Sequence, residues 1–555
     1  MIQSSGGQSQ ARQRLFEQLL TARGFGEPAD RVAYLEPDYQ AFRHDPFLLP
    51  DMEAAVARII EARDAQQKVF IYGDYDIDGL TATSVLLDAL PKFGITRLES
   101  FIPNRFVEGY GLTKDAVRQL IDRGAELIIT VDCGSLSYAE IQYAHDAGVD
   151  VIVTDHHNVA PSMPVAVATI NPKRPDHAYP FIDLAGVGVA FKLVQALQSR
   201  IDGIPAGHEK WLLDLVALGT VCDVVTLKDE NRANVYWGLK VMQKTRRPGI
   251  KALAAVTGID VGAIYARQLG FVLGPHLNAS GRLETAQRSL DVLVAPTIDA
   301  GMDAAAILRQ MNLDRRAQQD TIFKAAREQA TLYDKDPVLV LSDPNWSHGI
   351  IGIVAAKILE LYKKPTYVLQ EMADQTKGSA RSYGDFSAAD AIRASEAHII
   401  KGGGHKLAAG VTMKTDKIDD FRRAVTDYFR SLNLPPQAHL LDPAADVSLS
   451  SLDGIDEHLV TLLETMEPFG NGNPQPVFHF KDLRILARRE LGAEKTHLKL
   501  TLGDELDRAI DIMAFGKAKE ITARVGNVVS AWCHLDINEW NGRRSVQGKL
   551  QKLDI

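Results

Sequence analysis

The chain has 555 residues, 46% hydrophobic, 24% charged and 7% aromatic, which excludes wholesale disorder and asks for about three to five domains at ~100–200 residues each. Its net charge of -9, from 62 Lys+Arg against 71 Asp+Glu, excludes a histone-like coat for phosphate but leaves room for a local basic groove. Three scattered cysteines (Cys133, Cys222, Cys533) suit a reducing, cytoplasmic setting; no stretch approaches the ~18–20 apolar residues of a membrane span, and the N-terminus has no secretory pattern.

Residues 1–45 read as a polar N-terminal extension, partly helical, with a flexible Ser/Gly/Gln lead-in. From 46 to 235, short β-rich runs alternate with amphipathic helices. The runs are Lys68–Tyr72, Arg97–Ile102, Glu126–Val131, Val149–Thr154 and Ala166–Ile170, and the pattern is that of a parallel sheet with crossover helices. Residues 236–336 form a helical connector, with Pro275 and Gly281 in a polar turn. Its Gly- and Pro-free stretch Met302–Asp336 reads as one long linker helix, about 50 Å if continuous, or as two shorter core helices. Residues 337–432 alternate strand and helix again, with strands at Val338–Leu341 and Thr366–Leu369 and a Gly-rich turn at Lys401–Gly410. Residues 433–555 turn to β, with runs at Val477–Phe480, Leu483–Leu486, Leu498–Leu502, Ile510–Ala514, Val528–Ile537 and Ser545–Leu553. Asn541-Gly542 is a hairpin signal. The predicted fold is two α/β lobes joined by a long helix, plus a small C-terminal β-barrel of the oligonucleotide-binding (OB) kind.

The acids fall where such a sheet binds ligands. Lys68–Tyr72 runs into GDYDIDG, with Asp74, Asp76 and Asp78; Glu126–Val131 runs into Asp132; Val149–Thr154 runs into Asp155-His156-His157. All lie just beyond strand C-terminal ends, the binding edge of open α/β sheets. GTVCDVV adds Asp223. Taken singly, an Asp after a strand reads first as a helix N-cap. Together they would repel unless they held cations, and carboxylate with a minority of imidazole suits Mn²⁺ or Mg²⁺ better than a structural zinc. Such a centre is suited to phosphoester hydrolysis. Cys133 and Cys222, beside two of the acids, read as small buried fillers.

The DHH triplet, with GDYDIDG upstream and GTVCDVV downstream, resembles the DHH phosphoesterase superfamily, and GGGHKLAAG resembles the motif of its associated second lobe. IPNRFVEGYGL, AGVGVAFKL, GPHLNASGRL, WSHGIIGIVA and EPFGNGNPQPVF follow in the order of that superfamily's single-strand-specific exonucleases, from about residue 50 to 555. The resemblance implies Asp76, Asp78, Asp132, His156 and Asp223 as metal ligands. It makes His157 a ligand or a partner of the scissile phosphate, and Asp155 the group that orients its neighbours. Many relatives carry a histidine where this chain has Tyr72, so Asp74 stands in as a further ligand.

The same resemblance implies that Arg105 grips substrate phosphate and that Ser379 and Arg381 recognise a 5′-terminal phosphate. Arg282 is a further contact, in a motif where this chain has His276 in place of a common arginine. His405, with Gly403 and Gly404, brings the second lobe's backbone to the nucleotide. Without the family, Arg105 reads as a surface arginine and the glycines as a plain turn. The barrel's Arg484, Arg488, Arg489, Lys495 and Lys499 with Phe515, Trp532 and Trp540 fit a single-strand groove, although such aromatics are more often core than platform. The implied activity is metal-dependent 5′→3′ degradation of single-stranded DNA to mononucleotides with two divalent cations, in DNA repair and recombination. Single-strand-binding protein and a RecQ-type helicase are the implied partners. The alternatives are a small-substrate phosphodiesterase or pyrophosphatase and a non-catalytic scaffold; the first needs neither linker helix nor barrel, and the second dispenses with the acids.

Overall fold

The computed structural model describes residues 3–109, 111–540 and 542–555. Tyr110, in the IPNRFVEGYGL stretch, and Asn541, half of the expected hairpin turn, lie outside the described residues. The chain divides into two compact units. The first takes residues up to Leu277, Ala286–Ala305 and Pro443–Ile555; the second takes Asn278–Thr285 and Ala306–Asp442.

The first unit opens on a five-stranded sheet of β1 (Val69–Gly73), β2 (Leu98–Phe101), β3 (Leu127–Val131), β4 (Asp150–Thr154) and β5 (Ala168–Ile170). The spatial order is β2-β1-β3-β4-β5, parallel throughout. β1 and β3 are buried along their whole length, which is why they read as unbroken apolar runs. The order reverses between β1 and β3, and such a switch point opens a crevice at the strands' C-terminal ends. The helices Ile77–Ala89, Gly186–Gln198 and Leu213–Cys222 pack against one another beside it.

In the second unit, β6 (Leu339–Asp343), β7 (Thr366–Glu371), β8 (Gln375–Arg381), β9 (Lys401–Gly404) and β10 (Ala408–Lys414) form a mixed sheet in the order β6-β7-β8-β10-β9. The helix Ile298–Ala330 is continuous, begins in the first unit and ends in the second, so the single-helix reading prevails over a broken pair.

The C-terminal strands are β11 (Val447–Leu449), β12 (Phe478–Leu491), β13 (His497–Gly503), β14 (Ala509–Ala514), β15 (Val528–Trp540) and β16 (Arg543–Asp554). Pairing of β12 with β15 closes β12–β16 into a five-stranded barrel, with β11 paired to β12 outside the ring. β15 and β16 run antiparallel out to Trp540 and Arg543, as the turn signal required.

Several local expectations need correction. The N-terminal lead-in is a helix, Gln3–Ala22, because Leu15, Phe16, Leu19 and Leu20 line one face and join the barrel's core. The Pro275–Gly281 turn is also helical, within Gly274–Leu283, which continues directly from a π-helical stretch, Leu269–Leu273, and Leu277, Ala279 and Ser280 are buried. The Gly-rich turn is the β9–β10 hairpin, with a tip of only three residues. Val477–Phe480 and Leu483–Leu486 are one strand, β12, bulged at Lys481-Asp482 where Asp482 has φ +54°. β8 carries no apolar run and was not expected as a strand.

Candidate metal centre

Asp74, Asp76 and Asp78 leave the C-terminal end of β1 in a tight turn. Asp76 N-caps the Ile77–Ala89 helix, its Oδ1 accepting from the Gly79 amide at 3.1 Å, so the N-cap reading holds for this acid too. A Cβ on Gly79 would lie 2.6 Å from the Asp74 backbone, which only glycine permits. Asp78 is buried, and its two oxygens accept from the Gly186 amide at 2.6 Å and the Val187 amide at 2.7 Å. Those amides open the Gly186–Gln198 helix, where unpaired donors and the helix dipole favour an anion.

Asp132 follows β3 with φ +61°, a left-handed conformation uncommon outside glycine. It packs so closely on Gly186 that a Cβ there would lie 2.7 Å from Asp132 Oδ1. Asp223 closes the C-terminus of the Leu213–Cys222 helix. Asp155 is spent on orientation. Its Oδ2 accepts from the Ser135 amide at 2.9 Å; its Oδ1 accepts from the His156 and His157 amides at 2.7 and 3.1 Å and faces His157 Nδ1 at 2.8 Å.

These side chains converge. His156 Nε2 lies 3.1 Å from Asp132 Oδ1, 3.6 Å from Asp223 Oδ2 and 3.7 Å from Asp78 Oδ2, and His157 Nδ1 lies 3.8 Å from Asp132 Oδ1. Three overlapping donor sets result: Asp132, His156 and His157; Asp78, His156 and Asp223; Asp74, Asp76 and Asp132. Tyr72 is outside them, its ring stacked on Phe101 and its hydroxyl donating to the Gly111 carbonyl at 2.9 Å.

Burial and mutual repulsion set the electrostatics. Burial, then the charge of Asp76, pushes the Asp78 carboxyl up to about 7. Burial, then the charge of Asp78, pushes Asp223 up to about 9, and Asp74 and Asp132 rise for the same reasons. Burial, with the neighbouring His157 charge, draws His156 down to about 4, which keeps its lone pair available at neutral pH. Burial raises Asp155 as well, but the His157 and backbone hydrogen bonds more than reverse it, and Asp155 stays ionised. Asp74 Oδ1, Asp132 Oδ1 and His156 Nε2 are buried and make no hydrogen bond. Orphaned oxygens and an imidazole nitrogen, aimed at one another among excess acids, fit hard divalent cations.

Arg105, in the loop after β2, lays its guanidinium over the Tyr75 ring, 4.2 Å from the centroid, with Nε buried and unpartnered. Tyr75 belongs to the acidic turn, so this arginine is held beside it. In the second unit, Ser379 and Arg381 lie on one face of β8, and a Cβ on Gly352 would come within 3.5 Å of both side chains. Gly352 opens the helix Ile351–Tyr362, so a helix N-terminus stands over a serine and an arginine. Across the sheet from Ser379 lie Gly410 and then Gly403, both exposed, with open space where a Gly403 side chain would be. Gly404 differs: its φ is +142° and a Cβ would strike the Ala408 carbonyl, so its smallness serves the hairpin. His405 is exposed at the hairpin tip. Arg282 donates to the Gly349 carbonyl at 3.1 Å, and His276 Nδ1 lies 2.7 Å from the Val272 carbonyl.

In the barrel, Arg484 and Arg488 donate to nearby carbonyls and Lys499 pairs with Asp511, while Arg489 and Lys495 are exposed. The Trp532 ring stacks on His479 at 3.8 Å, and Phe515 is 55% exposed. All three cysteines are free thiols.

Sequence reasoning missed Tyr75, Lys377, which shares a β8 face with Ser379 and Arg381, and Asn171, whose buried amide donates to Ser135 Oγ and the His157 carbonyl at 2.9 Å each. Asn171 ends a β-rich run, as Asp132 does, which is the signal that could have found it.

A parallel sheet whose switch point gathers five aspartates and two histidines defines a metal-dependent phosphoesterase of the DHH type. Family models agree: "DHH family, N-terminal domain" matches residues 68–220, "DHHA1 domain" 335–431 and "RecJ OB domain" 445–552. The single-stranded-DNA-specific exonuclease RecJ of Bacillus subtilis is 35% identical over 538 residues, covering 96% of this chain and 67% of the relative. That of Escherichia coli is 35% identical over 530 residues, covering 90% and 89%. The crystal structure of Thermus thermophilus RecJ in complex with Mn²⁺ superimposes with a TM-score of 0.83 at 28% identity, covering 97% of this chain and 75% of that one; the Mg²⁺ complex gives 0.76. The chain belongs to the RecJ family of single-stranded-DNA-specific exonucleases.

Proposed function

We propose that this protein is a metal-dependent exonuclease that degrades single-stranded DNA 5′→3′ to 5′-mononucleotides, in DNA repair and recombination. The observation that carries this reading is the convergence of Asp74, Asp76, Asp78, Asp132, His156, His157 and Asp223 around buried, unpartnered donor atoms. Two divalent cations, Mn²⁺ or Mg²⁺, would be held by the three overlapping donor sets, two of which include Asp132. When bound, such cations neutralise the scissile phosphate and lower the pKa of an attacking water.

The chain's own residues do the rest. Asp155 fixes the His156-His157 backbone and accepts a hydrogen bond from His157 Nδ1, which turns the imidazole's other nitrogen to a cation or phosphate. Arg105, braced by Tyr75, grips a backbone phosphate. Ser379, Arg381 and the Ile351–Tyr362 helix N-terminus hold the 5′ phosphate, with the bare glycines at 403 and 410 and His405 beside it. Arg282 supports that site by holding the Gly349 loop. We divide the chain accordingly into an extension (1–45), catalytic domain (46–235), connector (236–336), second lobe (337–432) and DNA-binding barrel (433–555).

The test is a product assay with Mn²⁺ or Mg²⁺ on end-labelled single- and double-stranded DNA and RNA. Release of 5′-mononucleotides from single-stranded DNA alone supports the reading. Cleavage confined to dinucleotides or pyrophosphate would replace it with a small-substrate enzyme, and no cleavage with intact DNA binding would make the chain a scaffold. Asp132→Ala should lower hydrolysis by about a hundred- to a thousandfold, the scale set by losing a group that acts in the transition state, with single-strand binding retained.

A further inference from the structure

Asp223 is the one proposed ligand that does not sit at a strand end, and the loop behind it is strained. Val224 has φ +62°, an outlier for a β-branched residue, yet its side chain is 63% exposed and gains nothing from packing. The support comes from the turn of the EPFGNGNP stretch, some 250 residues later in the chain and in the same unit. Asn471 Nδ2 donates to the Val224 carbonyl at 2.8 Å, and the Leu227 amide donates back to the Asn471 carbonyl at 2.7 Å. The two glycines of that turn let it lie flush: a Cβ on Gly470 would be 2.7 Å from Leu227 Cδ1, and one on Gly472 2.5 Å from Thr226 Cγ2. The turn is itself anchored, since Asn473 is buried, donates to the Met466 and Pro468 carbonyls and accepts from the Tyr34 hydroxyl at 2.7 Å. On its far side the loop is held by Thr226 Oγ1, which donates to Asp183 at 2.9 Å.

We propose that Asn471 is a positioning residue for the metal centre: by holding the Val224 carbonyl it fixes the direction in which Asp223 presents its carboxylate to a divalent cation. This rests on the reading of Asp223 as a ligand. Asn471 is itself exposed, so replacing it opens no cavity. Two substitutions in the full-length protein separate positioning from folding. Asn471→Ala removes the amide, and Asn471→Asp keeps its shape while removing the donor.

Mn²⁺ binding measured by titration calorimetry on metal-stripped protein should weaken about tenfold in both, the low end of what losing a group that orients a ligand costs. Single-strand affinity in EDTA and the melting temperature in EDTA should stay at wild-type values, and excess Mn²⁺ should restore turnover. Unchanged Mn²⁺ affinity in either variant, or weakening that only accompanies a fall in melting temperature, overturns the proposal. Asp223→Ala is the control. If it too leaves Mn²⁺ affinity unchanged, the ligand reading has failed; if it alone weakens binding, the ligand reading stands and the role of Asn471 is overturned.

Discussion

Asp132 combines two unfavourable conditions, a left-handed backbone and a buried charge among other acids, and neither would persist without the elements around it. Its neighbours make the cost measurable. Folded-state values of about 7 for Asp78 and about 9 for Asp223 lie above the ~3.9 of an unfolded chain, so the metal-free protein binds more protons than its unfolded state. The stability tied to these groups is therefore fully present below about pH 4 and is lost as pH rises through about 7 and then 9. In EDTA, calorimetry should find Asp223→Asn melting above wild type by a margin that grows from pH 5 to pH 9, reaching at least a few degrees; Mn²⁺ should reverse the order. A second residue-scale prediction concerns Arg381→Ala. It should weaken action on 5′-phosphorylated strands about tenfold or more while sparing 5′-hydroxyl strands, read as kcat/KM; equal losses on both would remove its role at the 5′ end. The acids were legible because strand ends announce themselves as apolar runs stopping at a charge. Tyr75 and Lys377 were not, since a ring under an arginine or a shared strand face exists only after folding.

At the scale of elements, the metal centre depends on one helix N-terminus meeting one carboxylate. Gly186 gives Asp78 its amide and gives Asp132 its space. Gly186→Ala should therefore keep secondary structure by circular dichroism yet weaken Mn²⁺ binding at least about tenfold, because its methyl would displace Asp132 Oδ1. In sequence the AGVGVAFKL stretch shows only a family likeness; its part in holding the Asp78 carboxylate comes from the placement of the Gly186 and Val187 amides against Asp78. Strands of the first sheet could be read from sequence because burial on both faces demands continuous apolar runs. β8 could not, because its outer face carries Lys377, Ser379 and Arg381 and two glycines stand opposite in β9 and β10. Helix Gly274–Leu283 was hidden by Pro275 and Gly281, whose local preference yields to the burial of Leu277, Ala279 and Ser280.

For the whole molecule, the barrel closes the first unit, and the N-terminal helix joins its core through Leu15, Phe16, Leu19 and Leu20. Each such side chain buries roughly 1.5–3 kcal/mol of transfer free energy, an upper estimate. Truncation after Asp442 should thus produce a protein that binds hydrophobic dye and aggregates, and removing residues 3–35 as well should restore solubility; a soluble, cooperatively melting single truncation would contradict this packing. The negative total charge is also resolved at this scale. Five acids sit in the three donor sets and Asp155 beside them, the Arg105 guanidinium lies against their turn, and Lys377 and Arg381 stand on β8 of the second unit.

The division of the chain has a consequence for synthesis. The second unit is inserted within the first, so it has all its residues once Asp442 has emerged from the ribosome, while the unit that bears the acids still waits for its final strands. Until the turn at Gly470–Asn473 arrives, the Val224 loop has no carbonyl partner and the N-terminal helix has no core to join. Vectorial folding would then leave a nascent nuclease with its cutting centre incomplete, and full competence would come only with the last hundred or so residues.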